Sequence, residues 1–140
     1  MSADPAVHIV LGLPDFSARL GPLGLAFDPL QMVLPAPLPQ LLGPALQRQE
    51  TTGGQRLFYL LIQPDRGISV PMGDLGELSW WNIAGELQVH AKGAIAVAAR
   101  PALRDRWLRR LPDGTETFRL TAGLSSLPLG PLGELTIDLR

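Results

Sequence analysis

His8 and His90 are the chain's only histidines. A neutral imidazole can bind a metal or take up a proton near neutral pH, so they are the first candidates for chemistry. Each falls on the polar side of an alternating stretch, with no carboxylate at ligand or relay spacing. Both therefore read as strand residues facing solvent or an interface. The hydroxyl pairs Thr51-Thr52 and Ser125-Ser126 lack a nucleophile elbow and read as turn residues. The chain has no cysteine, which excludes disulfides, thiolate catalysis and thiolate-ligated metals. Four acids, Asp74, Glu77, Glu134 and Asp138, could gather around a divalent cation if two related turns lay side by side. Acidic turns are common without metals, and the sequence calls for no catalytic residue, no cofactor and no metal.

The residues that point outward are of a different kind. Trp80 and Trp81 are adjacent, and neighbours on a strand face opposite sides. One indole enters the core, and the other must meet a second layer, a ligand groove or a subunit. Residues 100–119 hold six arginines, among them Arg104, Arg106, Arg109 and Arg110, against three acids, whereas residues 1–99 carry five bases and eight acids. Such polarity can steer one subunit's basic hairpin onto a neighbour's acidic face. The net charge of −1 gives no general pull toward nucleic acid or anionic membranes. Residues 29–49 form a proline-rich, largely uncharged arm whose Met32, Leu34, Leu38 and Leu41 need cover from the chain's own sheet or from another subunit. Its five prolines argue against a membrane-spanning helix.

The elements that must position these residues centre on a repeat. Val70-Pro71-Met72-Gly73-Asp74-Leu75-Gly76-Glu77-Leu78-Ser79 returns 57 residues later as Leu127-Pro128-Leu129-Gly130-Pro131-Leu132-Gly133-Glu134-Leu135-Thr136, with six of ten positions identical. Proline ends ladder pairing, glycine supplies a sharp turn, and a new alternating strand follows. The paired glycines do not form a phosphate loop, because no lysine follows and the next segment is a strand rather than a helix.

Around this corner the pattern predicts short strands over 7–13, 16–20, 23–27, 57–62, 68–70, 78–83, 86–92, 94–99, 116–120 and 134–139. Leu57–Ile62 reads as covered on both faces, and 68–70 as pairing back onto it across a Pro64-Asp65-Arg66-Gly67 turn. Residues 50–55 read as a polar loop, Pro39 or Pro44 as the start of a short helix, and 101–105 as a short helix or turn before a hairpin.

The expected fold is a single all-β domain over 1–140, a β-sandwich or partly closed small barrel of about ten short strands, with at most one or two short helices. The expected function is non-enzymatic: a structural or interaction protein assembling as a homo-oligomer or as a repeated component of a particle. The alternative is a carbohydrate- or lipid-binding β module using Trp80 or Trp81. Expected partners are further copies or other structural proteins; the N-terminus lacks a signal-peptide pattern, pointing to the cytoplasm or a particle assembled there.

Overall fold

The computed structural model describes residues 5–14, 38–129 and 133–140. The expected strands at 16–20 and 23–27, and Met32 and Leu34 of the arm, lie outside the described residues.

Among the described residues, ten strands form two five-stranded antiparallel sheets. Sheet A has the order β2-β3-β1-β10-β9, from β1 (Val7–Pro14), β2 (Leu46–Thr52), β3 (Gln55–Ile62), β9 (Gly123–Pro128) and β10 (Glu134–Leu139). Sheet B has the order β4-β5-β6-β8-β7, from β4 (Gly67–Pro71), β5 (Glu77–Ile83), β6 (Glu86–Lys92), β7 (Trp107–Arg110) and β8 (Glu116–Leu120). Two short helices, α1 (Leu38–Leu42) and α2 (Ala94–Ala102), complete the described chain with three 3-10 turns. One contiguous core takes side chains from both sheets. Phe58, Leu11 and Ile137 form a buried row across sheet A, and Phe118, Val89 and Trp80 a buried row across sheet B. Fully burying a side chain of this kind is worth roughly 1.5–3 kcal/mol, so these rows carry much of the stability.

The repeated decapeptide is a repeated hairpin. In one copy the Met72 N–H donates to the Gly76 carbonyl at 2.8 Å, and in the other Leu129 N–H donates to Gly133 at 2.7 Å. Val70 pairs with Leu78 and Leu127 with Leu135, the same register. The correspondence reaches beyond the motif. Each hairpin forms one edge of its sheet and is followed in space by a third strand, a helix-containing connection and a returning hairpin. The series β4–β5–β6–α2–β7–β8 builds sheet B, and β9–β10–β1–α1–β2–β3 builds sheet A, the second broken by the chain termini.

Several local expectations are corrected. Residues 94–99 are not a strand but most of α2, because Gly93 breaks β6 at φ 85° and the alanines that follow are strong helix formers. Its buried residues, Ile95, Ala96 and Ala99, fall on one helical face. The short helix or turn expected at 101–105 is found as the end of α2, which reaches Ala102, and the 3-10 turn Arg104–Arg106 that follows. Residues 50–55 are not a loop: β2 runs to Thr52 and turns at Gly53-Gly54. The arm therefore ends at Ala45, where a proline-bearing 3-10 turn hands the chain to β2. Thr51-Thr52 and Ser125-Ser126 are strand residues.

Leu57–Ile62 is covered on one face only, with Phe58, Leu60 and Ile62 buried and Leu57, Tyr59 and Leu61 half-buried. Residues 68–70 do not pair with it; β4 crosses into sheet B and pairs with β5. In the intervening turn, Asp65 rather than Gly67 takes the positive φ, at 58°.

Buried Asn82 fixes that crossing. Its side-chain amide donates to the carbonyls of Ile62 and Pro5, each at 2.9 Å, and its Oδ1 accepts from Gly85 N–H at 3.0 Å. Gly76 and Gly93 pack backbone to backbone: a Cβ on Gly76 would lie 1.9 Å from the Lys92 carbonyl oxygen.

Candidate functional site

Two features on sheet B carry side chains that the core does not consume. One is its edge, the other its outer face.

The edge is β7, the terminal strand of the sheet. Its shift in register between Trp107 and Arg109 is a bulge, and β2, the matching edge of sheet A, bulges in the same way between Leu46 and Arg48. Trp107 remains 44% exposed. Its Nε1 donates to Glu116 Oε2 at 2.6 Å, while Arg110 Nε donates to Glu116 Oε1 at 2.8 Å. Arg100 reaches the same carboxylate at 3.9 Å. Glu116 is itself buried, and these donors, Trp107 first and Arg110 next, hold its carboxyl below the usual range. Arg106 donates to the Thr121 hydroxyl at 2.6 Å. Arg104 and Arg109 are exposed. Of the four arginines singled out in the sequence, Arg106 and Arg110 are thus tied to other segments of their own chain, while Arg104, beside Asp105 at 4.0 Å, and Arg109 stand outward.

Trp80 and Trp81 divide as their adjacency requires. Trp80 is buried at 2% exposure, on the core row. Trp81 is half-buried on the outer face. Its six-membered ring lies over Gly67, where a Cβ would meet ring atoms at 2.3–2.6 Å. The indole N–H donates to Ser79 Oγ at 3.0 Å, and the ring sits tilted beside His90, with centroids 6.1 Å apart. These residues wall a groove of about 260 Å³ completed by Ser69, Glu77, Lys92, Leu111, Asp113 and Thr115. Lys92 and Asp113 pair at 3.7 Å across the rim. Asp113 is held below the usual carboxylate range, chiefly by the Thr115 backbone N–H at 3.0 Å. Burial, with Arg109 adding repulsion, pushes the His90 imidazole down, which favours its neutral form.

The arm's end does not join either feature. Leu41 is half-buried against the chain's own core and Leu42 is buried within it; Leu38 opens α1. The acids of the two corners lie on different sheets, and among the described residues no three His, Asp or Glu side chains converge as metal ligands. The two histidines are likewise apart, His8 on sheet A and His90 on sheet B. No helix of the described residues is long and apolar enough to cross a membrane.

Gly67 read as a turn residue in the sequence, and its role depends on a partner fourteen positions away. Glu116 was counted only among the three acids of residues 100–119, although its alternation with Phe118 marks the inward face. Comparison with known proteins brings no further constraint: no family model, no curated protein and no solved structure matches the chain.

Proposed function

We propose that this protein is a non-enzymatic interaction protein that docks with further copies of itself, alone or within a larger particle, through the β7 edge of sheet B. The observation that supports this reading is the exposed Trp107 on a terminal strand, flanked by the outward Arg104 and Arg109. A terminal strand offers unpaired backbone groups to an incoming strand, and tryptophan and arginine are the side chains that most often anchor interfaces. Pairing β7 with a second β7 would set arginines against arginines, which is unfavourable across a ladder. The reading therefore favours a different receiving edge and a head-to-tail contact, which closes into a ring or continues as a filament.

Size-exclusion chromatography with light scattering, over a wide range of protein concentration, tests this. The expected result is a mass above the 15.1 kDa of one chain that falls on dilution and in high salt. The double variant Arg104→Glu/Arg109→Glu leaves the Glu116 cluster alone and is expected to run as a monomer. A wild-type chain that stays monomeric throughout would remove self-assembly.

A further inference from the structure

We propose that the outer face of sheet B binds a ring of a neutral carbohydrate, with the Trp81 indole as its platform. The site opens on the outer face rather than along the free edge of β7, although the β7–β8 turn supplies Leu111, Asp113 and Thr115 to its wall.

The matched half of the molecule provides the first support. On sheet B, Gly67 pairs with Trp81 and Ser79 with His90. On sheet A the corresponding pairs are Leu124 with Asp138 and Thr136 with Gly12. The same hairpin thus forms with either set, so the scaffold does not require a glycine under an indole beside an imidazole. Sheet B lacks a Cβ at the one place where the ring needs room, and Ser79 holds the ring's N–H in place. On sheet A the place of Gly67 is taken by Leu124, and Gly12, at the place of His90, has its space taken up by Thr136 and Gln55.

The second support is the chemistry of the walls. A sugar ring presents C–H groups on its faces and hydroxyls around its rim. An indole face suits the former, and carboxylates, an ammonium, hydroxyls and a neutral imidazole suit the latter because together they both accept and donate. Glu77, Asp113, Lys92, Ser69, Thr115 and His90 supply that set around Trp81. Glu77 and Asp113 face Lys92, with Arg109 near His90, so the charges balance and no excess of cations favours phosphate or acidic sugars. At about 260 Å³ the groove falls below the roughly 300–1,000 Å³ of pockets for drug-sized ligands, a size for one ring rather than an acyl chain.

The test is titration of the full chain with neutral tetrasaccharides of glucose, galactose and N-acetylglucosamine, read by saturation-transfer NMR and calorimetry. At least one is expected to bind saturably. Trp81→Ala is then expected to weaken binding by at least about tenfold, with Trp81→Tyr recovering part of the loss, since it keeps a flat ring. Asp113→Asn is expected to weaken it several-fold, and Leu124→Ala on sheet A to leave it unchanged. If Trp81→Ala fails to fold, Trp81→Tyr and Asp113→Asn carry the same comparison. No saturation by any of the three sugars up to about 10 mM, or undiminished affinity in the groove variants, overturns the proposal.

Discussion

The hairpins β4–β5 and β9–β10 share a sequence motif, a register and a closing hydrogen bond, yet they serve their sheets differently. On sheet A the hairpin is followed inward by Leu139, half-buried against the core; at the matched place on sheet B stands Asn82, fully buried. The inward position at the far side is Arg56 on sheet A and Glu116 on sheet B. The apolar rows repeat while the polar positions diverge. A shared scaffold is thus held by burial, which is non-directional, and the two halves are distinguished by hydrogen-bonding groups, which are not.

The apolar rows give the largest expected effect. Phe58 and Phe118 occupy matched positions and are both fully buried. Phe58→Ala and Phe118→Ala are each expected to cost about 3–5 kcal/mol, and to agree within about 1 kcal/mol. Urea midpoints measure this. A large difference between the two would show that the halves match in topology but not in packing.

The corners should separate next. Gly76 and Gly133 both hold positive φ, at 106° and 89°. An alanine at either pays the cost of an unusual backbone, about 1–3 kcal/mol. At Gly76 the new Cβ also meets the Lys92 carbonyl, so Gly76→Ala is expected to be the worse of the two by thermal unfolding. Equal losses would mean that the Gly76–Gly93 contact yields easily.

Asn82→Leu places the sheet A residue into sheet B. It leaves the carbonyls of Ile62 and Pro5 and the N–H of Gly85 without their partner. A loss of about 2–4 kcal/mol is expected, since orphaned buried polar groups cost about 1–3 kcal/mol apiece and some regain water. A neutral outcome would mean that the crossing from β3 to β4 does not rely on the amide.

These effects also explain what was legible in the sequence. The strand at Leu87–Ala91 and the corner repeat were readable because alternation and turn residues are local signals. Which sheet a strand joins is not local, and β4 followed a strong turn yet paired elsewhere. The repeat was visible as ten residues but not as two halves, because the termini cut one half open. Ala94–Ala99 misled because short apolar runs suit a strand or a helix until Gly93 and the four alanines are weighed. The adjacency rule made it legible that one of Trp80 and Trp81 leaves the core, but not that it is Trp81. The glycine beneath it was not legible either, because cross-strand partners cannot be paired before the register is known.

The smallest expected effect is in acid and again separates the halves. Glu116 is held below its ordinary value, whereas the matched place on sheet A carries no carboxyl but Arg56. A carboxyl with a depressed folded pKa binds fewer protons folded than unfolded. Its contribution is therefore fully present above the unfolded value of about 4.3, and is lost as pH falls through the folded one. The melting temperature of the wild type should exceed that of Glu116→Gln near neutrality. The gap should narrow below about pH 4.3, because protonation of Glu116 removes the charge that Arg110 and Arg100 attract, which Gln lacks at every pH. His90 shifts the balance in the same direction at higher pH: with its folded pKa lowered, stability rises with pH up to about the unfolded 6.5. His90→Gln should flatten that upper segment alone, and Glu116→Gln the lower one. If both segments persist in both variants, the acid response arises outside sheet B.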